Sequence, residues 1–180
     1  MTARVKVVAA KAALAPTVID TATSTVWIGL GANLGERADA LRAALLAIAA
    51  LEGTQVRRVS SLYRSAPVDA GGPDYLNAVA ELSTTLAPQA LLQALQAIEL
   101  AAGRQRPYRN APRTRDLDIV DWADATIDTA TLTVPHPRLW QRAFVLRPLA
   151  ELVPQRVPAS ALQAVQTQAI ERYAAPGWQI

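Results

Sequence analysis

Hydrophobic positions follow two different periods along the chain, and they predict a succession of strands and helices from residue 26 onward. Residues 26–30 are a short apolar run that leads into Gly31 and predicts a buried strand. Apolar residues then recur every three or four positions from Leu34 to Leu51, which predicts an amphipathic helix that ends at Gly53. Asn33 precedes this helix and can cap it or hold the turn. Residues 55–64 and 75–84 predict two further strands.

The second half of the chain continues the same succession. A helix is predicted from Pro88, which suits a first helical turn, to Gly103, which suits a C-terminal stop. The pattern then predicts a strand over 116–122, a short hairpin over 126–134, a helix over 143–150 and a last helix over 159–172.

The order strand, helix, strand, strand, helix, strand is typical of an α+β fold. We therefore expect a ferredoxin-like βαββαβ sandwich, with helices packed on an antiparallel sheet and additions at the C-terminus. Residues 1–24 show no clear period and are expected to be a poorly ordered extension, which leaves residues 25–180 as a single domain. The chain has no uncharged apolar run of 18 residues, so no membrane-spanning helix is expected.

The composition excludes several classes of enzyme. With no Cys and one His among 180 residues, disulfides, thiolate metal sites and two-histidine zinc motifs are excluded. The only lysines are Lys6 and Lys11, so the body of the chain lacks the lysine of P-loop nucleotidases, protein kinases and Schiff-base enzymes.

The net charge of +3 conceals a concentrated basic segment. Residues 104–115 hold five arginines and no carboxylate, and therefore carry +5: Arg104, Arg106, Arg109, Arg113 and Arg115. Arginine presents a planar fork that binds phosphate oxygens bidentately, so this segment indicates a polyphosphate ligand. The alternative is a ferredoxin-like nucleic-acid-binding module that uses the same loop, but the aromatic strand of such modules is absent.

Two carboxylates follow the arginines directly. Asp116 and Asp118 lie at i and i+2 of a predicted strand, so they share a face roughly 7 Å apart. Such a pair suits Mg²⁺ bound to a substrate phosphate. The spacing alone also fits surface salt bridges with Arg113 or Arg115, and the arginine loop favours the metal interpretation.

Two further features are less specific. The glycine spacing at Gly29, Gly31 and Gly35 is one residue wider than that of the dinucleotide-binding motif G-x-G-x-x-G. It therefore favours a tight strand-to-helix turn over a dinucleotide site. His136 stands between two prolines, which favours an exposed ring able to donate to a phosphate oxygen.

Six segments together resemble the 6-hydroxymethyl-7,8-dihydropterin pyrophosphokinase family over about residues 26–150. They are residues 29–34 (GLGANL), 60–67 (SSLYRSAP), 73–78 (PDYLNA), 98–106 (IELAAGRQR), 112–119 (PRTRDLDI) and 132–144 (LTVPHPRLWQRAF). The resemblance implies transfer of the pyrophosphoryl group of ATP to a pterin alcohol, with release of AMP, in the folate pathway. It also implies a cytoplasmic monomer that binds neither nucleic acid nor membrane, with the next enzyme of that pathway as a candidate partner.

The resemblance also assigns residues to roles. It implies that Arg104 and Arg113 are catalytic and that Asp116 and Asp118 hold two Mg²⁺ ions. The implied ATP-binding residues are Gln96, Glu99, Arg106, Thr133, His136 and Arg142. The implied pterin-binding residues are the stacking rings Tyr75 and Phe144, with Asn77 and the backbone of Ala66, Pro67 and Val68 at the polar edge.

Overall fold

Strands and helices alternate along the chain largely as the hydrophobic periods predict. The computed structural model describes residues 22–67, 72–102, 115–123 and 125–180. The strands are β1 (Ser24–Ala32), β2 (Thr54–Val59), β3 (Leu62–Ser65), β4 (Tyr75–Thr84), β5 (Asp116–Trp122), β6 (Ile127–Asp128), β7 (Thr133–Val134) and β8 (Ile170–Ala174). The α-helices are α1 (Arg37–Ala49), α2 (Pro88–Ala101), α3 (Ala143–Leu152) and α4 (Ala159–Ala164), and two 3-10 turns span Leu139–Gln141 and Pro154–Arg156.

One antiparallel sheet organises the molecule. Its strand order is β5-β1-β4-β3-β8, and β2 also pairs with β4. β4 pairs with β1 from Ser24 opposite Thr84 to Ala32 opposite Leu76. The long central strands β1 and β4 therefore position everything that packs on the sheet. The fold is α+β, as predicted.

The sheet has a buried core on each face. On one face, Val26 and Ile28 of β1 pack with residues of α1 and α2 such as Leu41 and Leu91. The opposite face carries a second cluster, in which Trp27, Val79 and Val120 pack with residues of α3 such as Leu146. Burial of each such large side chain contributes about 1.5–3 kcal/mol. Because α1 and α2 cover one face and α3 covers part of the other, β4 is buried at Asn77 and Val79 as well as at the predicted Leu76, Ala78, Ala80 and Leu82.

The start of α1 differs from the prediction. Glu36 occupies the N-cap position and makes no side-chain cap, while Leu34 is exposed outside the helix. Asn33 is buried and does not occupy the cap position. Gly35 has a φ of 59°, a conformation that costs glycine little, and it turns the chain toward the helix.

Three other predictions were wrong in detail. The strand predicted over 55–64 is two strands, interrupted at Ser60 and Ser61. The first strand continues past Leu30 to Ala32, so Gly31 lies within β1, and Gly35 stands in the turn that follows. The last helix ends at Ala164, and residues 170–174 form β8, which pairs with β3. β3 would otherwise leave an unpaired sheet edge, and pairing satisfies its backbone groups.

The residues after the last strand return to the core. Trp178 is buried, and its Nε1 donates to the carbonyl oxygen of Ser60 at 2.9 Å. Within the described part of the chain, no helix has the length and apolar character needed to cross a membrane. The expectation of a poorly ordered N-terminal extension concerns residues 1–24, and residues 1–21 lie outside the described ones.

Candidate active site

A cleft of about 590 Å³ opens where α3 leaves one face of the sheet uncovered. Under α3 this face carries the apolar residues Trp27, Val79 and Val120. Further along the same strands, glycine and polar residues replace them, so the core gives way to a cleft. The lining includes Gly29, Gly31, Ser65, Ala66, Tyr75, Asn77, Asp116, Asp118, His136, Arg138, Gln141, Arg142 and Phe144.

The two carboxylates lie on the floor of this cleft, opposite the two glycines of β1. Asp116 pairs with Gly31 and Asp118 pairs with Gly29 in the antiparallel register. Both aspartates are half-buried. The glycines keep the space beside them open, since a Cβ on Gly29 would lie 3.1 Å from Val120 Cγ2 and one on Gly31 would lie 3.3 Å from Asn77 Oδ1.

This donor set fits a hard divalent cation. Carboxylate oxygens are the protein ligands that Mg²⁺ prefers, and Mg²⁺ usually takes only one or two of them. No group of three or more potential metal-binding side chains occurs among the residues that the structure describes. A cation held by the two aspartates would therefore complete its coordination with oxygens from water or substrate phosphate.

His136 presents a neutral ring to the cleft. Its Nδ1 accepts a hydrogen bond from the backbone N–H of Arg138 at 3.0 Å, so the neutral ring carries its proton on Nε2. Burial lowers the pKa of His136, the charges of Arg142 and Arg138 lower it further, and Asp116 opposes them. The Nε2–H group is thus a hydrogen-bond donor for an acceptor in the cleft.

Aromatic and amide side chains also line the cleft. Tyr75 and Phe144 both face it, and the guanidinium of Arg142 lies 5.4 Å from the centre of the Phe144 ring. Asn77 is buried, and its Nδ2 donates to Ser65 Oγ at 2.9 Å. That bond fixes the amide, so its oxygen has a set direction. Aromatic rings and an oriented amide are the kinds of group that recognise a planar polar molecule.

The structure brings together most of the predicted site residues that it describes. The acidic pair, His136, Arg142, Tyr75, Asn77, Phe144 and Ala66 all line the cleft. Pro67 lines a smaller neighbouring cavity of about 260 Å³, which shares Phe144 with the cleft. Four predicted residues lie outside the described part of the chain: Val68, Arg104, Arg106 and Arg113.

Three predicted nucleotide-site residues do not line the cleft. Gln96 is exposed on α2, and Thr133 is half-buried on β7. Glu99 is buried, and its Oε1 accepts the backbone N–H of Leu117 at 2.8 Å. Glu99 therefore anchors the start of β5 next to Asp116, and its contact with a nucleotide stays a prediction.

Sequence reasoning missed other residues of the cleft. Gly29 lay within the predicted first strand and Gly31 at its end, but neither was assigned to the site, although their spacing at i and i+2 matches that of the two aspartates and was the available signal. Ser65, Arg138 and Gln141 also line the cleft. Nothing in the local pattern marks these three, because their position depends on strand pairing and on the path of the chain before α3.

A comparison with protein families identifies this arrangement. The family model for 7,8-dihydro-6-hydroxymethylpterin-pyrophosphokinase (HPPK) matches residues 27–154. The chain belongs to this family. The match includes every described residue that lines the cleft, and it confirms the predicted function: this HPPK chain is a pterin pyrophosphokinase of folate biosynthesis.

Relatives and solved structures agree with the family assignment. This HPPK chain is 48% identical over 135 residues to the 2-amino-4-hydroxy-6-hydroxymethyldihydropteridine pyrophosphokinase of Pseudomonas aeruginosa, covering 74% of this chain and 83% of that protein. It is 43% identical over 140 residues to the protein of the same name from Synechocystis, covering 77% and 72%. A crystal structure of Plasmodium falciparum HPPK-DHPS matches with a TM-score of 0.62 at 14% identity, over 77% of this chain and 42% of that one. This last likeness shows the fold alone.

Proposed function

We propose that this HPPK chain binds ATP and a reduced pterin alcohol in the cleft and that Asp116 and Asp118 bind two Mg²⁺ ions between them. The observation that carries the proposal is the placement of both carboxylates opposite Gly29 and Gly31 on the cleft floor. Donors for phosphate and aromatic rings both line the cleft that holds this pair.

The reaction is pyrophosphoryl transfer from ATP to the pterin. The hydroxymethyl oxygen forms a bond to the β-phosphorus while the bond from that phosphorus to the α–β bridging oxygen breaks. AMP leaves with that oxygen, and the hydroxyl proton passes to solvent. Mg²⁺ held by the two aspartates would neutralise the charge of the triphosphate and lower the pKa of a coordinated alcohol.

The chain's own residues position the two substrates. His136 donates its Nε2–H to a phosphate oxygen, and the guanidinium of Arg142 adds a charged donor beside it. The pterin stacks between Tyr75 and Phe144, and the amide oxygen of Asn77 accepts from its polar edge. Most of the catalytic effect then comes from orientation and charge, as is usual for phosphoryl transfer.

The remaining assignments extend this proposal. Arg104 and Arg113 are proposed as catalytic and Arg106 as an ATP ligand, since arginine neutralises charge that develops on the bridging oxygen. Gln96, Glu99 and Thr133 are proposed as contacts of the nucleotide beyond the cleft floor. Val68 and Pro67 are proposed to extend the polar edge of the pterin site.

We also propose a finer description of the fold, location and partners. The order β5-β1-β4, with β2 and β3 beyond β4 and helices after β1 and β4, supports a ferredoxin-like core. ATP as co-substrate supports a cytoplasmic location. We propose that the chain acts as a monomer and passes its product to the next folate enzyme, since the Plasmodium protein is named HPPK-DHPS.

The product of the reaction tests the proposal. Purified protein with ATP, Mg²⁺ and 6-hydroxymethyl-7,8-dihydropterin should release AMP and pyrophosphorylated pterin, resolved by chromatography. Omission of the pterin, or chelation of Mg²⁺, should abolish AMP release. Formation of ADP, or no AMP from folded protein, would contradict the proposal. Salt-sensitive binding of an oligonucleotide without AMP release would instead support the alternative nucleic-acid-binding module.

A further inference from the structure

The C-terminal segment beyond the family match makes a direct contact with the wall of the cleft. Gln168 follows α4 and precedes β8, outside the matched residues 27–154. Its side-chain Oε1 accepts the backbone N–H of Ala143 at 2.8 Å. Its Nε2 donates to the backbone carbonyl of Gln141 at 2.8 Å. One amide group thus holds both residues that flank Arg142.

Arg142 needs such support because of its backbone position. It is the single extended residue, with φ −126° and ψ 111°, between the 3-10 turn Leu139–Gln141 and α3. It provides no side-chain cap for α3, so the N–H of Ala143 has no partner within the first helical turn. Gln168 supplies that partner from 25 residues away along the chain.

Gln168 is itself held on both sides. Its backbone N–H donates to the carbonyl of Val165 at 3.1 Å. Two residues later, Ile170 pairs with Ser65 of β3, whose hydroxyl accepts from Asn77. The amide of Gln168 therefore joins the Ser65 edge of the cleft to the start of α3, which carries Phe144.

We propose that Gln168 is a positioning residue that fixes the backbone around Arg142, and through it the side chains of Arg142 and Phe144 against the two substrates. The inference rests on the proposed function, because it assumes that these side chains contact phosphate and pterin. Loss of the Gln168 contacts would free the extended residue between the two helical segments. Misplacement of binding groups by about 1 Å can lower the reaction rate about a hundredfold.

Steady-state kinetics of substitutions at position 168 test this role. Gln168→Met keeps the length of the side chain but removes both hydrogen bonds. It should raise the KM for the pterin and lower kcat/KM by about tenfold or more. Gln168→Glu keeps an acceptor for Ala143 but places an oxygen against the carbonyl of Gln141, and it should lie between Gln168→Met and wild type. Gln166→Met, at an exposed glutamine of the same segment, is the matched control and should behave as wild type.

The possible outcomes separate the two proposals. If wild type releases AMP and Gln168→Met has wild-type KM and kcat, this inference is wrong while the proposed function stands. If wild type releases no AMP, the proposed function itself fails. A lowered Tm with unchanged kinetics would assign Gln168 to stability alone and also overturn the inference. Should Gln168→Met fail to fold, wild-type kinetics in Gln168→Glu would overturn it equally.

Discussion

Open space at the cleft floor depends on single residues that lack a side chain. A Cβ on Gly31 would approach Asn77 Oδ1 to 3.3 Å, closer than an ordinary contact. We expect Gly31→Ala to displace the Asn77 amide and to weaken pterin binding by about 1 kcal/mol, the low end for overpacking, which is about fivefold in KM. Separate titrations of pterin and ATP check this, because the KM for ATP should change less. Equal changes for both substrates would contradict a local effect on Asn77.

The acidic pair should be essential for turnover and dispensable for folding. Asp116→Asn and Asp118→Asn keep the shape of the side chains but remove the charge that binds a divalent cation. Each should lower kcat by at least about a hundredfold, with little change in Tm. The measurement is AMP release as a function of Mg²⁺ concentration, with Glu52→Gln, at an exposed carboxylate between α1 and β2, as the control. Substantial activity in either active-site variant would exclude the metal assignment.

The protonation of His136 should link stability to pH. Burial first, then Arg142 and Arg138, lower its pKa below the ordinary value of 6.5. The unfolded chain therefore binds a proton at His136 before the folded protein does as pH falls. The stability that the folded protein gains by keeping His136 neutral is fully present above pH 6.5. It is lost as pH falls through the lowered pKa of His136 in the folded state. Denaturant titrations from pH 7.5 to 5 should show this loss in wild type and less of it in His136→Asn. Parallel curves for the two proteins would refute the linkage.

Helix α2 and strand β5 are connected by one buried carboxylate. Glu99 sits near the end of α2 and accepts the N–H of Leu117, one residue after Asp116. Glu99→Ala leaves that buried donor without this acceptor, which should cost about 1–3 kcal/mol of unfolding free energy. Glu99→Gln keeps an acceptor oxygen and should cost less. Urea titrations of the two variants give the comparison.

Kinetics of the same variants separate a structural role from nucleotide binding. If Glu99 only anchors β5, Glu99→Gln should keep the KM for ATP. A large increase in that KM at unchanged stability would instead support the nucleotide contact that the family resemblance implies.

Local periodicity predicted the elements that local interactions define. The strands β4 and β5 and the helix α2 were predicted within about two residues, because their apolar residues repeat with the period of the element and proline marks the start of α2. β8 was missed because Ile170–Ala174 becomes a strand only by pairing with the open edge of β3.

The candidate site was predictable from the sequence only in part. The aspartate pair follows from its spacing within one strand, and the family resemblance assigned most other residues. The glycines opposite the aspartates depend on the register between β1 and β5, which no single segment encodes. The contacts of Gln168 join segments 25 residues apart, so they could not be predicted from the sequence either.

At the scale of the whole molecule, the C-terminal segment is part of the core and not an appendage. Arg156 contacts the buried Asp121 through Nε at 3.0 Å and stacks on Trp27 at 4.8 Å. Trp178 fills the core on the other face of the sheet, beside the interruption between β2 and β3. The segment thus supports both faces, although the family match ends at residue 154.

A chain that ends at residue 154 should therefore fail to fold stably. Truncation of a buried Trp to Ala typically costs about 3–5 kcal/mol. Removal of the partly exposed Arg156 leaves the buried carboxylate of Asp121 without its charged partner, which adds about 1–3 kcal/mol. Together these losses approach the total stability of an ordinary domain, about 5–15 kcal/mol. Circular dichroism and AMP release should both show a largely unfolded, inactive protein.

Trp178→Phe in the full-length chain is the matched comparison for this truncation. It replaces the indole with a smaller ring, and so removes the N–H that donates to Ser60 and some packing volume, but keeps an aromatic side chain in the core. It should unfold in one transition at a moderately lower temperature and retain activity, because the cleft lies on the opposite face of the sheet. A truncated chain that melts with the wild-type Tm would show instead that residues 27–154 form a self-sufficient domain, and the C-terminal segment would then have no structural role.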